Sequence, residues 1–86
     1  MYKLDITKQA LKFVENLPPK QFKQITKKLF ELIADPNPND SKKLKGYSFK
    51  RTDIGEYRII YRIEDDCIKI AVIGKRNDDS VYKILK

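Results

Sequence analysis

The chain predicts an α+β fold, and three observations predict it. Apolar residues recur at helical spacing through residue 34, the period changes to two from Tyr47 onward, and Asp35-Pro36-Asn37-Pro38-Asn39-Asp40 separates the two regimes. Helices lead and strands follow, so the expected order is β-α-α-β-β-β. The last strands form an antiparallel-rich twisted sheet, with a two-helix hairpin on one face and the other face open. At 86 residues the chain suffices for one small core, and no repeat or low-complexity tract divides it. Residues 1–86 therefore read as a single domain.

Each element has a local reason. Tyr2 to Ile6 reads as a short strand, and Thr7 as the N-cap of a first helix. Ala10, Leu11, Val14 and Leu17 supply that helix's apolar positions. Pro18-Pro19 ends it and starts the next, because proline is accepted in a first turn but not in an interior. The second helix runs from about Pro19 to Ala34. Phe22, Ile25, Leu29, Leu32 and Ile33 form its predicted buried stripe, and Lys20, Lys23, Lys27, Lys28 and Glu31 lie mostly outside it. Tyr47 to Thr52 is a predicted strand, Asp53 to Gly55 a turn and Glu56 to Glu64 a long strand. Asp65-Asp66 makes a hairpin turn. Cys67 to Ile73 is nearly all apolar and therefore central. Gly74 to Ser80 is a polar loop, and Val81 to Leu85 a last short strand or helical turn.

Composition removes several chemistries. There is no histidine, so a Ser-His-Asp triad, a Cys-His dyad and a histidine-based ribonuclease are excluded. No zinc site or other metal centre is expected. Cys67 is the only cysteine and cannot form an internal disulfide; it reads as a small buried residue. No apolar run reaches the length of a membrane span and the N-terminus lacks an apolar signal core, so a soluble cytoplasmic protein without membrane contact is expected. Net charge is +7, and residues 17–34 and 35–52 each carry +3, whereas residues 53–86 balance. A basic middle suits a polyanion or an acidic protein partner, although for the helix lysines a solvated face is the preferred reading.

The segment Gly55-Glu56-Tyr57-Arg58-Ile59-Ile60-Tyr61-Arg62 carries the most information. It alternates core residues with arginines, and strand-borne arginines suit an anion. A second basic pair, Lys75-Arg76, follows the next strand, and Tyr82 follows that. Each has a plainer reading. Arg58 serves either a phosphate or a cross-strand pair with Glu56, Glu64 or Asp53. Arg76 is otherwise a solvated residue near Asp78 and Asp79, and Tyr82 a core residue beside Val81, Ile84 and Leu85. Tyr47, Phe49, Tyr57 and Tyr61 read as core, and Glu64-Asp65-Asp66 as a solvated tip.

Four segments in order resemble the RelE/ParE toxin superfamily of toxin–antitoxin modules, over essentially the whole chain. They are the N-terminal strand with the helix hairpin; Asp35-Pro36 followed by Lys43-Leu44-Lys45-Gly46; Gly55-Glu56-Tyr57-Arg58-Ile59-Ile60-Tyr61; and Gly74-Lys75-Arg76 followed by Val81-Tyr82. The resemblance implies the RelE-like microbial ribonuclease fold. It also implies a ribosome-dependent mRNA endonuclease acting in the ribosomal A site, without a cofactor. In that reading Arg58, Arg76, Tyr82 and Arg51 fall on the family's functional positions, and Lys43, Lys45, Lys50 and Lys75 are RNA contacts. Phe49 occupies a position that is basic in the family's nucleases, which leaves the general base unassigned; strand alternation turns Lys50 to the opposite face. The resemblance further implies an acidic RelB-like antitoxin and a toxin–antitoxin heterotetramer. Its alternatives are a ParE-like inhibitor of DNA gyrase and an inactive antitoxin-binding member.

Overall fold

The structure, a computed structural model, describes residues 2–44 and 48–77. The elements are β1 (Lys3–Ile6), α1 (Lys8–Glu15), α2 (Pro19–Ala34), β2 (Lys42–Lys43), β3 (Lys50–Ile54), β4 (Tyr57–Glu64) and β5 (Cys67–Lys75). They build one mixed sheet in the order β1-β5-β4-β3-β2. β1 runs parallel to β5, and every other pairing is antiparallel.

The α+β class and the β3-β4-β5 meander match the sequence pattern, with one strand more than expected. β2 is only two residues long, too short to show a period, and it pairs with Lys50 and Arg51 of β3. The strand expected from Tyr47 begins at Lys50, because Leu44 N–H donates to the Phe49 carbonyl at 2.9 Å and Ser48-Phe49 belong to the β2–β3 connection. Tyr47 itself lies outside the described residues. The strand then runs on through Asp53 and Ile54, which pair with Arg58 and Tyr57. The turn is therefore Gly55-Glu56, a two-residue hairpin loop with Gly55 at φ 58°. Glycine meets no steric penalty there.

Thr7 caps α1: its Oγ1 accepts from Ala10 N–H at 3.3 Å and donates to the Ala71 carbonyl at 2.7 Å. Next to it, the Gln9 amide donates to and accepts from Ile73 at 3.3 and 3.4 Å. These two side chains satisfy backbone groups on the edge of β5 where β1 has ended.

The helices cover one face of the sheet. Ala10, Val14, Ile25, Leu29 and Leu32 pack on Tyr57, Ile59, Tyr61, Ile68, Ile70 and Ile73. Two expected stripe residues depart from this: Leu11 and Phe22 are each 43% exposed. Lys28, expected outside, is 8% exposed. At about 100° per residue the buried arc of α2 centres on Ile25 and Leu32, with Phe22 and Lys28 about 60° to either side. The loop after α2 covers the Lys28 flank, where Lys28 Nζ meets Asp40 Oδ2 at 2.8 Å. Pro36 in the same loop is buried, and its carbonyl accepts from the Tyr61 hydroxyl at 2.7 Å.

The second sheet face is not bare. Ile60 and Val72 are fully buried there under Leu44, Phe49 and Ala71. Cys67, expected to be buried, is only half-buried, because it opens β5 directly after the Asp65-Asp66 turn.

Candidate nucleic-acid interface

Strand alternation assigns the charges to faces. Tyr57, Ile59, Tyr61 and Ile63 of β4 point to the helices, which leaves Arg58, Ile60 and Arg62 on the opposite face. Cross-strand partners share a face, so Asp53 (opposite Arg58) and Arg51 (opposite Ile60) lie there as well. So does Lys42, which pairs with Arg51. Lys43 pairs with Lys50, and both belong to the helix side. Lys50 Nζ donates to Asn37 Oδ1 in the loop after α2. A cluster joining Lys50 to the arginines is therefore not formed.

The arginines converge on Asp53. Arg58 holds it with two parallel bonds, Nε to Oδ1 at 2.7 Å and Nη2 to Oδ2 at 3.2 Å. Arg51 Nη1 lies 3.5 Å from Oδ2. The hydrogen bond from Arg58 holds the Asp53 carboxyl below the usual carboxylate range; burial opposes it, and the charges of Arg58, Arg51 and Arg76 add to it. Arg51 and Arg58 thus meet at one carboxylate, and the charge of Arg76 reaches it without a direct contact. On the other side of Arg58 the β5 partner is Gly74, which brings no side chain.

Arg76 follows β5 directly. Its N–H donates to the Glu56 carbonyl at 2.9 Å, and its Nη1 to the Gly55 carbonyl at 3.4 Å. The β3–β4 turn and the end of β5 are tied together this way. They enclose a groove of about 550 Å³ lined by Gly55, Glu56, Lys75, Arg76 and Asn77. Lys75 and Arg76 are exposed within it. Tyr82 and Lys45 lie outside the described residues.

Phe49 stands on the same face as the arginines. It packs with Ile60 and Val72, and the Arg62 guanidinium lies 5.9 Å above its ring. Arg62 also pairs with Glu64 at 2.9 Å, and Lys69 approaches Glu64 at 3.8 Å. Among the described residues, no group of three or more His, Cys, Asp or Glu is placed to hold a metal ion. Chemically, the face offers a fork of guanidinium groups for an oxyanion. One member was not singled out by the sequence reading: Lys42 is placed by the register of a strand too short to detect. Asp53 was one of three acids that could pair with Arg58, and the position of the hairpin loop selects it.

Comparison with known proteins agrees with the fold. Residues 4–80 match the family described as the ParE toxin of type II toxin-antitoxin system, parDE. The chain is 34% identical over 87 residues to the mRNA interferase toxin RelE of Escherichia coli (strain K12), which covers 94% of this chain and 90% of that protein. The RelE–RelB complex from Pyrococcus horikoshii OT3 superposes with a TM-score of 0.79 at 30% identity, over 88% of this chain and 96% of that one. The isolated E. coli RelE toxin gives a TM-score of 0.78 at 27% identity, over 96% and 93% of the two chains.

Proposed function

Because the chain belongs to the ParE/RelE family of type II toxins, we propose that it is the toxin of such a system and cleaves mRNA on the ribosome. The observation that carries this is the convergence of Arg51 and Arg58 on one point of the sheet face away from the helices, with Arg76 exposed in the groove at the adjoining β3–β4 turn.

Cleavage joins the ribose 2′-oxygen to the adjacent phosphorus and breaks the bond to the 5′-oxygen. It leaves a 2′,3′-cyclic phosphate and a 5′-hydroxyl. Negative charge grows on the non-bridging oxygens during the attack. Arg58 and Arg51, side by side across β3 and β4, are suited to hold those oxygens, and Arg76 to approach from the end of β5. A guanidinium group is charged throughout the physiological range. For the same reason they are phosphate clamps and not bases. Tyr82 is assigned to stack on a base, and Lys42, Lys45 and Lys75 to general RNA contact, with Lys42 best placed; Lys43 and Lys50, expected as RNA contacts, lie on the helix side and away from this face. The chain has no histidine, so the proton steps depend on groups outside this arginine set, and dependence on the ribosome follows.

The partner is an acidic RelB-like antitoxin, as in the RelE–RelB complexes this chain resembles. It covers the basic surface and forms a heterotetramer with the toxin.

The test is induction without antitoxin, with mRNA 5′ ends mapped across the transcriptome. Wild type should arrest growth and cut mRNA inside codons. Arg58→Ala and Arg76→Ala should lower cleavage by about 10²–10³-fold. Full toxicity in both variants would refute the nuclease reading. One observation favours a second reading: Phe49 is built into an apolar cluster where a basic residue would help catalysis. Filamentation and a DNA-damage response with intact mRNA would identify a gyrase-directed toxin.

A further inference from the structure

We infer that Asp53 is an internal counter-anion: it occupies the point where Arg51 and Arg58 meet, and a phosphodiester binds there by displacing it. The inference rests on the reading of this face as an RNA phosphate site.

The geometry resembles that of a bound oxyanion. Arg58 offers Asp53 the two-pronged edge that guanidinium groups offer to phosphate, at 2.7 and 3.2 Å, and Arg51 adds a third approach at 3.5 Å. Asp53 sits on the face away from the helices, directly opposite Arg58, so it balances a largely buried guanidinium as well as filling the place of an oxyanion. The carboxylate is also within reach of solvent. The side chains of Asp53, Arg51 and Arg58 are 30%, 27% and 14% exposed, so water and a solute oxygen can reach a pair that is still partly desolvated.

A tethered carboxylate competes with any diffusing phosphate. The apparent affinity for RNA falls by the fraction of molecules in which Asp53 has released the arginines. Free RNA in solution is then a poor competitor. RNA held against this face by a large assembly has a high effective concentration and displaces the carboxylate. Asp53 thereby sets a threshold that separates presented RNA from bulk RNA.

The experiment measures binding of a short single-stranded RNA, made uncleavable by 2′-deoxy substitution, across roughly 50–200 mM salt. Asp53→Asn keeps the side-chain shape and removes the charge. It should bind about tenfold tighter than wild type at the low-salt end. Its affinity should also fall more steeply with salt, by about 0.7 in the log–log slope. Unchanged or weaker binding overturns the inference. Arg58→Ala separates the two readings. If it leaves wild-type RNA binding intact, the phosphate-site reading itself fails. If it weakens binding while Asp53→Asn does not strengthen it, Asp53 is only a structural partner. A measurement on the unaltered protein removes dependence on folding of the variants. On titration with inorganic phosphate, the Asp53 carboxyl carbon and the Arg58 Nε–H resonances should shift with one midpoint. An Asp53 signal that stays fixed while Arg58 moves would exclude displacement.

Discussion

The Tyr61 hydroxyl donates to the Pro36 carbonyl at 2.7 Å, joining the middle of the central strand to the loop that leaves α2. Tyr61 is fully buried, and burial is the first cause that pushes its phenol pKa upward; Asp40 and Asp35 add to this, while Ser41 opposes it. Tyr61→Phe removes the donor and strands the Pro36 acceptor. The expected loss is about 1–3 kcal/mol, read from the urea midpoint at an unchanged m-value.

Lys28 and Asp40 secure the far side of the same loop. The lysine stem is buried, and Glu31 lies 3.8 Å from its Nζ as a second, weaker partner. Lys28→Met keeps the stem's packing and should stay within about 1 kcal/mol of wild type. Asp40→Ala removes the nearest counter-charge and should be the more damaging change. Thermal melts of the two variants decide the order; equal melting temperatures would show that the pair contributes only through the lysine stem.

Acid should act through Asp53 and Asp40. Both carboxyls are held low, Asp53 first by the hydrogen bond from Arg58 and Asp40 first by the one from Lys28. Groups whose folded pKa is depressed stabilise the fold above their unfolded value, about 4, and lose that contribution as pH falls toward the folded value. With no histidine in the chain, unfolding free energy should be nearly flat from pH 7 to about 5 and then decline below about 4. Asp53→Asn should flatten that acid limb more than Asp40→Asn, since Asp40 is the more exposed. A decline already complete at pH 5 would contradict the assignment.

Lys42 and Lys43 are adjacent but face opposite ways, one beside Arg51 and the other beside Lys50. Lys42→Ala should lower the salt slope of RNA binding by about 0.7, the value for one lost contact to a single strand. Lys43→Ala should change it less. Equal effects would place the RNA along the edge of the sheet and not across its face.

Much of the fold was legible because the helices announce themselves by period and caps. Pro19 and Ala34 bound α2 as the proline pair and the Asp35-Pro36 stop indicate. What was not legible depended on register. With the β3–β4 turn read as Asp53 to Gly55, Asp53 was only one of three acids that could pair with Arg58; with the loop at Gly55-Glu56, the pairing follows directly. Phe22 and Lys28 show the same limit on a helix: both lie on the flank of the buried arc, and the loop around Asp40 decides which is covered. Arg58 and Arg76 stood out in the strand pattern and Arg51 only through the resemblance, but the meeting of Arg51 and Arg58 at Asp53 could not be read from either.

The pairing of β1 with β5 also governs how the protein comes into being. Lys3 lies opposite Cys67, and Thr7 and Gln9 bond to Ala71 and Ile73, so the first strand finds its place only against the last described one. At synthesis rates of roughly 5–20 residues per second, a growing chain spends several seconds with both helices made and no sheet to receive them. Arg76 emerges only after that sheet's last strand. A product that stops short of β5 therefore has neither a seat for its first strand nor the full arginine set, and aborted translation releases no active fragment.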